Sequence, residues 1–133
     1  MCQSPFPKVV GAKMRETPLS GRWLLLVEEE PVHAVQLRQA LEEAGASVAV
    51  AGWTAAKDLV ERPELSAIVL DCHPNLGDRR ELVQSARARG LPVLFLGDIE
   101  PDAEMAGYGV PFVYKRSATE AVVAALVTLL TLR

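Results

Sequence analysis

Cysteine is nearly absent from this chain. It carries two, Cys2 and Cys72, and the first falls in an N-terminal stretch broken by proline and glycine. Two thiols so placed make no disulfide framework and fit a reducing, cytoplasmic setting. Long apolar runs are missing too: none approaches the roughly 18 residues that a membrane-spanning helix needs, so no membrane association is expected. The opening "MCQSPFPKVVGAKMRETPLSGR" lacks the apolar block of about 7–15 residues that a secretory signal requires. It reads as a flexible leader over residues 1–21, with Met14 as a second possible start. Basic clusters are absent: the net charge is −3 and no five like charges are consecutive, which argues against a nucleic-acid partner. There is no G-x-G-x-x-G or Walker-type loop for a nucleotide. Cys72 and His73 have no second Cys/His pair with which to close a zinc tetrahedron. A small enzyme would need a nucleophile–base pair, and the sequence offers none.

What is present is a globular composition, 50% hydrophobic and 23% charged over 133 residues, enough for one domain with a real core. From residue 23 onward, short apolar runs alternate with stretches of helical periodicity. The runs are "WLLLV" (23–27), "SVAVAG" (47–52), "LSAIVL" (65–70), "PVLFL" (92–96) and "PFVY" (111–114). Between them, residues 32–45 place Val32, Val35, Leu37 and Leu41 at roughly helical spacing, with Gly45 as a stop. Residues 54–62 form a helix that Thr54 is placed to cap, and residues 78–90 form one closed by Gly90. Residues 101–107 make at most two turns. Residues 117–132 form a last helix opened by the capping box Ser117 and Glu120. The strands are apolar without alternation, so both of their faces should be covered. A doubly wound, five-stranded parallel sheet follows, with right-handed crossovers and the order 2-1-3-4-5. In such a sheet the functional crevice lies beyond the carboxyl ends of strands 1 and 3, where the strand order reverses.

That placement explains an otherwise odd feature. The first apolar run ends in three consecutive acids, Glu28, Glu29 and Glu30, and the third ends at Leu70 with Asp71 just beyond. Neighbouring strand ends would bring Glu28, Glu29 and Asp71 to one crevice, where three carboxylates cannot all ionise cheaply. A divalent cation relieves the repulsion, and hard oxygen ligands around a hydrated face suit Mg²⁺. Lys115 follows the fifth run and reaches the same rim. Acids, one lysine and one metal ion are equipped to receive a phosphoryl group on a carboxylate. The plainer reading is a helix N-terminus dressed with acids, with Pro31 in its first turn, and it accounts for Glu30 best.

Over residues 22–133 the pattern resembles the receiver domain of two-component response regulators, in stand-alone form because the chain ends just past the last helix. The resemblance rests on "VEEEP", on Asp71 after strand 3, on "ARGLPVLFLG" and on Lys115. It implies that Asp71 is the phosphoacceptor and that Lys115 pairs with the phosphoryl group. It implies a Mg²⁺ site made of Glu28, Glu29, Asp71 and the backbone carbonyl of His73, and an aromatic switch at Phe112. The implied partners are a histidine kinase or phosphotransfer protein and an unknown downstream target. The family's hydroxyl residue after strand 4 falls on Gly97, the second acid is Glu29 where aspartate is usual, and Arg116 stands where proline is usual. A degenerate receiver, acting as an interaction module without phosphate, is therefore the alternative. "DCHPNLG" is also similar to a cobalamin-binding D-x-H-x-x-G, but its glycine, Gly77, comes one position late.

The last helix reads "AVVAALVTLLTL" from Ala121 to Leu132, with Thr128 and Thr131 as its polar positions. One face should pack on the sheet, and the remainder predicts an exposed apolar patch. Val122, Val123, Leu126 and Leu130 are the candidate residues for an interface. A homodimer would use helix 4 (101–107), strand 5 (111–114) and helix 5 (117–132). Burial of this helix by the N-terminal leader is the competing expectation.

Overall fold

A computed structural model describes residues 17–71, 76–98, 103–115, 117 and 119–131. Five strands alternate with five helices: β1 Trp23–Val27, α1 Pro31–Glu43, β2 Ser47–Ala51, α2 Trp53–Leu59, β3 Ala67–Asp71, α3 Leu76–Ala88, β4 Val93–Gly97, α4 Ala103–Gly107, β5 Phe112–Tyr114 and α5 Thr119–Thr131. The strands form one sheet in the order β2-β1-β3-β4-β5, with every neighbouring pair parallel. This is the doubly wound sheet that the alternation predicts.

The uninterrupted apolar strands have a direct cause. Successive side chains point to opposite faces, and each face carries its own core. Leu24, Leu26, Val69, Leu94 and Leu96 pack against Leu37 and Leu41 of α1 and Val122, Leu126 and Leu130 of α5. Leu25, Val27, Ile68, Leu70, Val93 and Phe95 pack against Trp53 and Ala56 of α2 and Leu82, Val83 and Ala86 of α3. Helices α1 and α5 therefore lie on one face and α2 and α3 on the other, with β1, β3 and β4 sealed between the layers.

Both glycine stops do what their positions require. Gly45 adopts φ +105° and Gly90 φ +69°. At each helix end two amides fold back onto earlier carbonyls: Gly45 N to Glu42 O and Ala46 N to Leu41 O, then Gly90 N to Arg87 O and Leu91 N to Ala86 O. That is the pair of bonds that satisfies the last carbonyls of a helix through a left-handed residue.

Four details differ from the sequence expectations. Helix α2 begins at Trp53, with Gly52 rather than Thr54 at its N-cap. Glu29 takes over the capping role from outside the helix, its Oε2 accepting a hydrogen bond from Trp53 N at 3.2 Å. On α1 the buried row is Ala34, Leu37 and Leu41, while Val32 and Val35 are exposed. Residues 17–21, read as the end of a leader, form a turn against the domain. Leu19 is fully buried there and its amide bonds Ala44 O at 2.8 Å. Residues 1–16 lie outside the described part of the chain.

The fourth correction concerns α5. Val122, Leu126 and Leu130 are core residues at 3%, 0% and 7% exposure, so they are not available to an interface. Their i, i+4 spacing makes them the row that faces the sheet. Val123, Ala125, Val127 and Leu129 are partly buried against the same core, and Val123 lines a groove between α1 and α5 with Pro18 and Ala40. The outer row is Ala121, Ala124, Thr128 and Thr131. These side chains are small, so an apolar composition exposes little apolar area, and no large exposed hydrophobic residue is found on α5.

Candidate functional site

The register of the sheet builds the site. Val27 pairs with Leu70 across β1 and β3, so the residues one step further, Glu28 and Asp71, emerge side by side at the carboxyl edge. Gly97 pairs with Tyr114 across β4 and β5, and Lys115 N donates to Gly97 O at 2.8 Å. That bond directs the lysine from the end of β5 back across the sheet edge.

The ammonium of Lys115 bridges the two carboxylates. Its Nζ lies 3.3 Å from Glu28 Oε2 and 3.3 Å from Asp71 Oδ1, with Glu30 Oε1 at 3.8 Å. Glu28 is the most deeply placed, with a side chain only 1% exposed. A carboxylate so buried must be paired and hydrogen-bonded, and it is. Oε1 lies 2.8 Å from His33 Nδ1, and Oε2 accepts from Glu30 N at 3.2 Å as well as from Lys115.

Electrostatics follow from this packing. Burial pushes the Asp71 carboxyl above the usual carboxylate range and the charge on Glu28 adds to the rise, while Lys115 and, more weakly, His33 pull it back. Burial opposes the charge on Lys115, yet Asp71 and Glu28 outweigh it and hold the ammonium above its ordinary range. Repulsion between two neighbouring acids is thus offset by one lysine that both share.

Three of the candidate residues, Glu28, Asp71 and Lys115, come together in this way. Glu29 does not join them, because its carboxylate turns to the first turn of α2 and rests against Gly52, where an added Cβ would lie 3.0 Å from Oε2. His73 falls outside the described residues. Gly97 ends β4 as a buried residue. Phe112 is half-buried, packs against the core cluster on the α2–α3 face and meets Tyr114 edge-on at 5.1 Å between ring centroids. His33, which is not among the candidate residues named from the sequence, is the addition. Its signal was its place in the first turn of the helix that follows the acids, a turn that must face the same crevice.

The oxygens of Glu28 and Asp71 share one crevice and are the ligand type that Mg²⁺ takes, so the residues present fit such an ion in part. Glu28, Glu30 and His33 also place one donor atom each within 4.8 Å of one another, a group that could hold a metal ion. Among the described residues no helix is long and apolar enough to cross a membrane.

Solved structures with the same architecture are numerous. The receiver domain of HemR from Leptospira biflexa superposes with a TM-score of 0.73 at 24% identity, covering 84% of this chain and 96% of its own. The receiver domain of sensor histidine kinase PA1611 from Pseudomonas aeruginosa PAO1, which holds a magnesium ion in its active-site cleft, gives 0.71 at 22% identity, with 84% and 99% covered. A response regulator receiver protein from Sinorhizobium medicae WSM419 gives 0.68 at 19%, with 85% and 97% covered. The fold is that of a receiver domain. No family model matches the chain, and no curated protein sequence does. The receiver likeness is therefore carried by three-dimensional structure.

Proposed function

We propose that this receiver-like domain accepts a phosphoryl group on Asp71 from a histidine kinase or phosphotransfer protein. The observation that supports it is the bridge from Lys115 Nζ to both Asp71 Oδ1 and Glu28 Oε2, each at 3.3 Å, at the carboxyl edge of a 2-1-3-4-5 sheet. An Asp71 oxygen attacks the phosphorus of a donor phosphohistidine. The P–N bond breaks as the acyl-phosphate P–O bond forms, and the leaving imidazole nitrogen takes up a proton. Lys115 keeps Asp71 nucleophilic by opposing the burial that favours its protonated form, and then pairs with a phosphoryl oxygen. The carboxylates of Glu28 and Asp71 would hold a Mg²⁺ ion, which would supply positive charge to the remaining phosphoryl oxygens.

Phosphorylation adds a charge of about −2 at the sheet edge. The response runs through β5, because Lys115 and Phe112 are joined by the short strand between them. Gly97 brings no hydroxyl to this process, so the shift at β5 depends on Lys115 alone. The output is protein–protein interaction with a downstream target, and the domain acts as an acceptor with at most the capacity to gain and lose its own phosphoryl group.

Incubation with acetyl phosphate and Mg²⁺, read by intact mass, tests this reading. The expected result is a gain of about 80 Da that vanishes in Asp71→Asn. If no adduct forms, the domain is a phosphate-independent interaction module, which is the reading that Gly97 favours; an adduct that survives the substitution refutes Asp71 as the acceptor.

A further inference from the structure

The two oxygens of Glu28 serve different partners. Oε2 faces Lys115 and the Glu30 amide, while Oε1 faces the His33 ring 2.8 Å away. Glu28, Glu30 and His33 offer one donor atom each, all within 4.8 Å of one another, and Glu30 Oε1 also lies 3.8 Å from Lys115 Nζ. Glu30 is the N-cap of α1 and His33 its third residue, so the two project from one face of the first turn. This Glu-x-x-His spacing is one that metal-binding helices use to hold an ion between a carboxylate and an imidazole.

We propose that Glu28, Glu30 and His33 form a site for a borderline divalent ion of the Zn²⁺ class. Imidazole suits such ions, whereas Mg²⁺ takes oxygen ligands and dehydrates reluctantly. Three protein donors around zinc leave a fourth position for water, and Glu30, 64% exposed, leaves that position open to solvent. Zinc–ligand bonds of about 2.0–2.2 Å place tetrahedral donors roughly 3.4 Å apart. The Glu28–His33 contact must open by about half an ångström and Glu30 must swing inward, which an exposed side chain can do at little cost. The ion takes Glu28 through Oε1, the oxygen that faces His33, and Glu30 gives up its 3.8 Å contact with Lys115 Nζ to join it, so the Lys115–Asp71 pair stays intact. The site therefore stands on the carboxylate–imidazole geometry and does not require phosphoryl transfer at Asp71.

The test titrates the full chain with Zn²⁺ alone and with Mg²⁺ alone, against a chromogenic chelator. A Cys2→Ser, Cys72→Ser variant is run in parallel to remove thiol binding. Zinc is expected to bind at least about 100-fold more tightly than magnesium. His33→Ala should cost at least about tenfold in zinc affinity and leave magnesium affinity unchanged. Asp71→Asn should change zinc affinity less than about twofold. The proposal is overturned if His33→Ala binds zinc like the wild type, if Asp71→Asn costs as much as His33→Ala, or if magnesium competes at equal concentration. Should His33→Ala fail to fold, the ring-proton resonances of His33 in the wild-type chain decide. Zinc must shift or broaden them, and resonances unmoved at saturation refute the site. Loss of the acetyl phosphate adduct with zinc binding intact would count against Asp71 phosphorylation and leave this site standing.

Discussion

Replacing Lys115 with methionine keeps the stem of the side chain and removes the charge that both acids share. Each carboxylate sits 3.3 Å from Nζ, which at an effective dielectric constant of about 20 corresponds to roughly 5 kcal/mol of attraction per pair. Most of that is offset by the several kcal/mol needed to bury the ammonium. The substitution also leaves Glu28 buried with one cationic partner fewer. Breaking a fully buried pair from one side costs about 3–5 kcal/mol. Here Asp71 is 19% exposed, so the lower end applies and Lys115→Met should destabilise the domain by about 3 kcal/mol at pH 7. With an m-value of about 1.5 kcal/mol per molar urea, the unfolding midpoint falls by about 2 M, followed by the fluorescence of Trp53, which is 3% exposed. The deficit must also depend on pH in one direction. Asp71 is already held above its ordinary range by burial and by Glu28, and loss of the lysine raises it further. A carboxyl raised above its unfolded value of about 3.9 carries no penalty below that value, and it costs stability as pH rises through the native value. The deficit should therefore be smaller near pH 4 than at pH 7. A midpoint within about 0.3 M of the wild type, or a deficit that grows on acidification, would refute the shared-lysine account.

Asp71→Asn removes the group whose ionised form burial penalises, so it should stabilise the domain by about 1 kcal/mol at pH 7. That gain should fade toward pH 4, as urea denaturation at the two pH values will show. Leu126→Ala should cost about 2–5 kcal/mol in the same assay, because Leu126 is fully buried. Val123→Ala, at the groove, should cost under about 1 kcal/mol; similar losses at both would contradict the division of α5 into an inner and an outer row. Gly45→Ala should lower the melting temperature, because φ is +105° and the new Cβ would lie 2.9 Å from the backbone of Ser20. An unchanged melting temperature would mean that the turn at residues 17–21 does not press on α1.

The sequence alone determined the sheet, its helices and the edge that carries the candidate site, because those follow from periods that single residues cannot shift. Apolar strands without alternation require two covered faces, and the glycines at 45 and 90 stop α1 and α3 where the pattern breaks. Parallel pairing and crossover handedness leave few strand orders, with 2-1-3-4-5 the obvious candidate, and in that order strand ends carry Glu28, Asp71 and Lys115 to one edge whatever their side chains then do. Side-chain direction was decided only in three dimensions. Glu29 differs from Glu28 by one position, and that half-turn of the extended chain sends its carboxylate to the amide of Trp53. His33 enters the cluster because α1 begins at Pro31 and so turns its third residue toward Glu28. On α5 composition could not say which apolar residues face outward, since the phase of a helix is set by what it packs against. The sheet took Val122, Leu126 and Leu130 and left alanines and threonines to water.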